Sequence, residues 1–142
     1  MKLFTSLAKA TALTTLLLSA SAFAEVAVIV SASNGNSSLD KAAIEQIFLG
    51  KTSSFPNGEK AVPIDQSEGT AARESFNSDL LGKNSSQLKA YWSRLIFTGK
   101  GTPPKESGGD LDVKDLVAKN PNLIGYVDAA TVDDSVKVVF KF

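Results

Sequence analysis

The chain of 142 residues contains no cysteine and no histidine. Without cysteine it forms no disulfide and offers no thiolate for nucleophilic attack or metal binding. Without histidine it lacks the side chain that most often serves as a general base or a metal ligand. These absences weigh against an enzyme, although one that relies on carboxylates stays open. We predict no catalytic residue, no metal site and no cofactor.

An excess of either charge is also missing, with 15 Lys and Arg residues against 15 Asp and Glu residues. No segment gathers basic residues on one face, and none interleaves them with aromatic residues. Proteins that bind nucleic acids carry such basic surfaces. The sequence therefore predicts no nucleic-acid partner.

The first 24 residues have the pattern of a secretory signal peptide. Lys2 and Lys9 form a basic start, an apolar stretch covers residues 10–20, and Ala22-Phe23-Ala24 provides a cleavage site. The apolar stretch is shorter than an ordinary membrane span, although an anchor helix stays open. No cysteine follows the site, which argues against lipid attachment. Cleavage would leave residues 25–142 as one domain, with 13 basic and 15 acidic residues and a net charge of −2.

Four apolar runs predict strands at residues 26–30, 61–64, 123–127 and 136–142. The first run is unbroken and β-branched, which is typical of a strand buried on both faces of a sheet. In the last run the predicted inward and outward positions alternate, which is typical of a half-buried edge strand. The predicted inward residues are Val136, Val138, Phe140 and Phe142, and the outward ones are Lys137, Val139 and Lys141.

Four stretches with helical spacing separate these runs. Ser37 and Asp40 resemble a capping box for the first helix. The second helical pattern carries Ala72, Phe76 and Leu80, and the last two helices begin near residues 84 and 112. The third has the clearest amphipathic stripe, in which we interpret Tyr91 and Trp92 as packing residues. That stripe consists of Leu88, Tyr91, Trp92, Leu95 and Ile96. Alternating strands and helices predict an α/β fold with a mostly parallel sheet, in which ligands lie at the carboxyl ends of strands.

The turn between the strand at residues 61–64 and the next helix is the candidate site. It reads Asp65-Gln66-Ser67-Glu68-Gly69-Thr70 and is followed by Arg73. A helix N-terminus directs backbone N–H groups and the positive end of its dipole towards an anion such as phosphate. Alternatively, Ser67 only caps the helix. The two interpretations are compatible because they use the same donors. A long loop at residues 98–109, rich in Gly, Pro and Lys, could approach a ligand or partner.

Four motifs follow one another in a characteristic order. They are Ile47-Phe48-Leu49-Gly50-Lys51, then Val62-Pro63-Ile64-Asp65-Gln66-Ser67-Glu68-Gly69-Thr70 with Phe76, then Gly99-Lys100-Gly101, and finally Asn122-Leu123-Ile124-Gly125-Tyr126-Val127-Asp128. Together they resemble the phosphate-binding proteins that deliver phosphate to ABC transporters, and most closely the short exported relatives of that family. The resemblance implies a periplasmic-binding-protein-like lobe over residues 25–142, equivalent to the second of the family's two lobes, with no first-lobe segment before Val26. It also implies a periplasmic location, with a transporter permease or another periplasmic protein as partner.

The family's phosphate loop, an Arg-x-Asp-Gly-Ser-Gly-Thr pattern that opens a helix, falls on residues 64–70. Gly69 and Thr70 match its end. The departures are Ile64 for the arginine, Gln66 for the aspartate, Ser67 for the glycine and Glu68 for the serine. The lost arginine removes a bidentate phosphate partner. Arg73 either partly substitutes for it or pairs with Glu68, Asp65 or solvent. The resemblance implies an oxyanion site at Ser67, Gly69, Thr70 and Arg73.

Three functional hypotheses follow. The first is an exported solute-binding protein for phosphate or another small oxyanion, which serves an ABC transporter. The second is a structural or protein-interaction module that kept the lobe and lost the ligand. The third is an enzyme that uses Asp65 and Glu68, with or without Asp128, as paired carboxylates. A homodimer is compatible with each of them.

Overall fold

The computed structural model describes residues 24–142, so the predicted signal peptide lies outside the described residues except for Ala24. The strands in this range are β1 (Val26–Ser31), β2 (Val62–Asp65), β3 (Lys105–Glu106), β4 (Leu123–Asp128) and β5 (Val136–Lys141). The helices are α1 (Lys41–Phe48), α2 (Ala71–Ser75), α3 (Ser85–Phe97) and α4 (Asp110–Lys119), and α2 continues as a π-helix over Phe76–Leu80. A 3-10 turn covers Ala129–Thr131. None of the helices in residues 24–142 has the length and apolarity that a membrane crossing requires.

The five strands form one sheet in the order β3-β2-β4-β1-β5. β2 runs parallel to both β3 and β4, whereas β1 runs antiparallel to both β4 and β5. Four of these five strands therefore point in one direction and β1 opposes them. The predicted α/β fold, with a mostly parallel sheet and a C-terminal edge strand, is confirmed.

Helices cover both faces of the sheet. β1 is buried along its whole length because alternate residues point into cores on opposite faces. One core joins β1 to α1 and the π-helix and includes Val28, Phe48 and Phe76. The other joins β1 to α4 and includes Ile29 and Val113. The unbroken apolar run of β1 correctly predicted this two-sided burial.

The capping box predicted at Ser37 is wrong. Asp40 is the N-cap of α1, and its carboxylate accepts a hydrogen bond of 2.7 Å from the Ala43 N–H group. The Leu39 N–H group, directly before this cap, donates to the Val139 carbonyl at 2.9 Å. That contact holds Leu39 in non-helical backbone beside β5.

The inward and outward positions predicted for β5 are also partly wrong. Val139 is buried, whereas Val138 and Phe140 are half-buried. The cause is an irregularity opposite β1, where Val28 pairs with Phe140 but the next residue, Ile29, pairs with Val138. One extra residue on β5 faces this step, as in a β-bulge, and it turns Val139 into the core.

α3 begins as predicted but packs less deeply than its stripe suggested. Asn84 and Gln87 form a reciprocal capping box, with hydrogen bonds of 2.9 Å in both directions. Leu88 is the buried residue of this helix, whereas Tyr91 and Trp92 are half-buried. The Tyr91 hydroxyl donates to the Leu49 carbonyl at 2.6 Å. The helix therefore contacts the rest of the domain mainly through Leu88, Tyr91 and Trp92.

Candidate functional site

The candidate turn connects β2 to α2 at the carboxyl end of the parallel half of the sheet. Thr70 is the N-cap of α2, and its hydroxyl accepts from the Arg73 N–H group at 3.4 Å. The predicted cap at Ser67 is wrong because an N-cap directly precedes the first helical residue, and α2 begins at Ala71. The Ser67 N–H group instead donates to the Gly108 carbonyl at 2.8 Å. Gly69, with a φ of +90°, reverses the chain between the two residues.

Asp65 and Gln66, at the end of β2, join Tyr126 of β4 in a buried polar network. The Tyr126 hydroxyl donates to the Asp65 carboxylate. The Gln66 N–H group donates to that carboxylate at 3.0 Å and to the hydroxyl at 3.2 Å. The Gln66 side-chain amide donates to Asp110 at 2.8 Å and to the Tyr126 carbonyl at 2.9 Å. The backbone N–H group and the side-chain NH2 group of Gln66 thus both donate to acceptors inside the protein.

Burial raises the pKa of the Asp65 carboxyl above its ordinary value. The Tyr126 hydrogen bond and the Arg73 charge lower the pKa again, but they do not offset the loss of hydration. Burial and the neighbouring Asp65 likewise raise the pKa of Tyr126, so the phenol stays protonated as the donor. The network is therefore arranged around a hydrogen bond from tyrosine to carboxylate.

Arg73 is held by three acceptors of the domain. Its Nη1 donates to the Gln66 carbonyl at 2.8 Å and to Glu106 Oε1 at 2.5 Å. Its Nη2 lies 3.7 Å from Asp65 Oδ2. The Arg73 side chain is 19% exposed and Asp65 is 15% exposed, so that pair is shielded from solvent, whereas the Glu106 partner is 52% exposed. The predicted alternative, that Arg73 pairs with Asp65, is what the structure shows, together with a second carboxylate from β3.

The four residues predicted to bind an oxyanion do not converge. Thr70 lines a cavity of about 140 Å³ that Asp110 and Asp128 also line. Arg73 lines a different groove of about 410 Å³, between the π-helix, α3 and the segment that leads into β3. Ser67 and Gly69 line neither space. The side chains of Thr70 and Arg73 therefore line two different spaces.

The three carboxylates of the enzyme hypothesis are divided between the same two spaces. Asp65 and Glu68 line the groove, whereas Asp128 lines the smaller cavity. Glu68 lies 3.4 Å from Lys89, and Asp128 accepts from the Ala130 N–H group at 2.9 Å. Each of the three acids has a hydrogen-bond or ion-pair partner of its own within the domain.

Sequence reasoning missed two residues that shape this region, Glu106 and Tyr126. Glu106 lies in the segment predicted as a loop, and a two-residue strand carries no periodic signal. Tyr126 lies in a predicted strand, where only its hydroxyl in an apolar run indicated a polar partner. The bonds connect Arg73 to a residue 33 positions away and Asp65 to one 61 positions away. Local sequence patterns do not predict hydrogen bonds between residues so far apart in the chain.

Comparison with solved structures places this geometry in a known fold. A protein from Clostridium perfringens, described as a phosphate ABC transporter substrate-binding protein with bound phosphate, matches with a TM-score of 0.65 and 25% identity, over 82% of this chain and 45% of that one. An ABC-type phosphate transport receptor from Vibrio cholerae matches with a TM-score of 0.65 and 20% identity, over 82% and 46%. PstS from Borrelia burgdorferi matches with a TM-score of 0.59 and 13% identity, over 82% and 47%.

No protein-family model matches the sequence, and no curated protein matches it. The solved structures to which it is similar are transport binding proteins. The chain spans less than half of the length of each of these structures, which is consistent with one short lobe. The predicted resemblance is thereby confirmed, and this chain has the fold of phosphate ABC transporter substrate-binding proteins over part of their length.

Proposed function

We propose that this chain is an exported, periplasmic solute-binding protein that serves phosphate or another small oxyanion to an ABC transporter. The observation that carries the proposal is its likeness to the phosphate-bound structure, at 25% identity over 82% of the chain. The signal-peptide pattern of residues 1–24 supports export. Intact mass of the protein recovered after export tests this part, and the expected first residue is Glu25.

The oxyanion contact in this proposal is Arg73, at the carboxyl end of β2. A guanidinium pairs with phosphate through two parallel hydrogen bonds. Arg73 at present donates to Glu106, whose side chain is 52% exposed on an edge strand of two residues. An arriving anion therefore competes with Glu106 for the guanidinium, and this competition weakens the affinity. The Ser67 and Thr70 N–H groups already donate to backbone carbonyls and contribute only if the turn rearranges, whereas the Gly69 N–H group has no such bond within residues 24–142.

Isothermal titration with phosphate, sulfate and small carboxylates tests the proposal. Arg73→Ala should weaken binding more than tenfold, or about 1.4 kcal/mol. Glu106→Gln should strengthen binding, because it removes the competing charge. Lys119→Ala is the matched control, since that cation pairs with Asp115 on the surface of α4 at 2.9 Å. An absence of heat at millimolar ligand, in monomer and dimer fractions alike, would refute oxyanion binding.

A second candidate function is an interaction module that kept the fold without the ligand. The observation that favours it is that several donors of the turn are already paired within the domain. The Ser67 and Thr70 N–H groups donate to backbone carbonyls, and Arg73 is shared among three acceptors. Within residues 24–142, no buried side-chain polar atom lacks a hydrogen-bond partner. Co-purification of a stable partner from periplasmic extract, together with negative titrations, is the result that this candidate predicts.

A further inference from the structure

α3 presents apolar side chains to solvent at its C-terminal end. Phe97, its last residue, is 93% exposed, and the neighbouring Ile96 is 54% exposed. A protruding aromatic ring beside another exposed apolar residue is typical of an interaction surface. Phe97 does not line the groove that holds Arg73, so the oxyanion chemistry proposed for Arg73 does not explain the exposure of the ring.

The groove of 410 Å³ beside this helix is mostly apolar. Its walls include Phe76 from the π-helix and Pro103 from the segment before β3. α3 itself contributes Leu88, Trp92 and Ile96. Helical spacing places these three residues on one face, next to the face that carries Phe97. A protruding ring and an apolar groove therefore lie side by side on the same helix.

We propose that a second copy of this chain docks here, so that Phe97 of each copy enters the groove of the other. α3 has 13 residues from Ser85 to Phe97, and its midpoint is Tyr91. If two such helices pack antiparallel about a twofold axis near that midpoint, each Phe97 meets the start of the other α3. Ser85 lines the groove at that end. The same surface of each copy thus forms the interface, as in a twofold-symmetric dimer.

Small residues on the face of Phe97 permit this approach. Ser86, Ala90 and Ser93 precede Phe97 by 11, 7 and 4 positions, and all three are exposed. Residues at these spacings share one side of a helix. Their short side chains let a second helix come close, and the ring of Phe97 is the part that projects across the contact.

The charge of the groove in one copy is complementary to the charges beside Phe97 in the other copy. The groove is lined by three acids, Asp65, Glu68 and Glu106, and by two cations, Arg73 and Lys89, which leaves one net negative charge. Phe97 lies between Arg94 and Lys100, neither of which forms an ion pair within residues 24–142. In the proposed dimer these cations approach the other copy's groove, whose lining carries one net negative charge. The dimer should consequently weaken as salt concentration rises.

Sedimentation velocity of the purified protein, from micromolar to about 1 mM, tests the proposal. The wild type should shift from monomer towards dimer as concentration rises. Phe97→Asp should weaken dimerisation at least tenfold, because the aromatic ring is the central anchor of the contact. Leu111→Asp is the matched control: Leu111 is 67% exposed on α4 and does not line the groove. It should behave as the wild type does.

A single introduced cysteine tests the geometry, because the chain has no cysteine of its own. Ala90→Cys lies near the proposed axis, and mild oxidation should convert it to a covalent dimer, whereas Leu111→Cys should stay monomeric. Three results would each overturn the proposal: a wild type that stays monomeric throughout, an equal loss of dimer in both aspartate variants, or equal cross-linking of both cysteine variants. Circular dichroism of each variant establishes that the fold is retained.

Discussion

At the scale of single residues, Asp65 determines the polarity of the region where β2 meets α2. Its carboxylate is buried, accepts from Tyr126 and Gln66, and lies near one cation, Arg73. Because burial raises its pKa, the folded state binds a proton more tightly than the unfolded state does. Stability supplied by this group is greatest below its unfolded pKa, about 3.9, and is lost as pH rises through the higher folded pKa.

Asp65→Asn should remove this dependence. Relative to the wild type, the free energy of unfolding of the variant should rise as pH increases from about 4, the unfolded pKa of the carboxyl. It should level off once the wild-type carboxyl is ionised in both states. Urea denaturation at a series of pH values measures the difference. A constant difference between the two proteins over this range would contradict the raised pKa.

Asp133 provides a control of opposite sign. Hydrogen bonds from Lys114 and Ser135 hold its pKa below the ordinary value, and the Lys114 contact is 2.8 Å. Its contribution to stability is present above the unfolded pKa and is lost as pH falls through the folded pKa. The unfolding free energy of Asp133→Asn, relative to the wild type, should therefore change with pH in the direction opposite to that of Asp65→Asn.

At the scale of elements, the start of α2 decides how the candidate turn is built. Thr70→Ala removes the side chain that accepts from the Arg73 N–H group, and it should cost about 1 kcal/mol of unfolding free energy. Ser67→Ala should change stability by less than about 0.5 kcal/mol. The Ser67 hydroxyl forms no hydrogen bond in the described part of the chain, and its N–H contact with Gly108 does not depend on the side chain. Urea midpoints of the two variants, with Thr70→Ser as the conservative control, measure the difference, and equal costs would restore Ser67 as the cap.

The sequence predicted most elements of the fold but not the pairing at the site. The two-sided burial of β1 and the capping box of α3 were both predictable, because each depends on residues within a few positions of one another. The cap of α2 was misplaced because a serine and a threonine in one turn are chemically equivalent, and only the course of the backbone through Gly69 chooses between them. Glu106 reaches Arg73 through strand pairing of β2 with β3, which no local pattern indicates.

At the scale of the whole molecule, Gly125 sets the distance between the sheet and the α4 layer. A Cβ atom at this position would lie 2.7 Å from Val113 Cγ1 and 3.3 Å from side-chain carbons of Ile64 and Val117. All three neighbours are buried branched residues, and Val113 and Val117 belong to α4. Such a contact cannot be relieved by rotating one side chain into solvent. The helix as a whole must move away from β4.

Gly125→Ala should therefore lower the free energy of unfolding by about 1–3 kcal/mol, as overpacked cores do. Gly101→Ala is the matched control, because its Cβ would meet Trp92 at an ordinary 3.7 Å. Adding Val113→Ala to Gly125→Ala should make the combined cost smaller than the sum of the two single costs, since the second change removes the atom at 2.7 Å. Urea unfolding of the four variants completes the comparison, and strictly additive costs would mean that the two layers do not meet at Gly125.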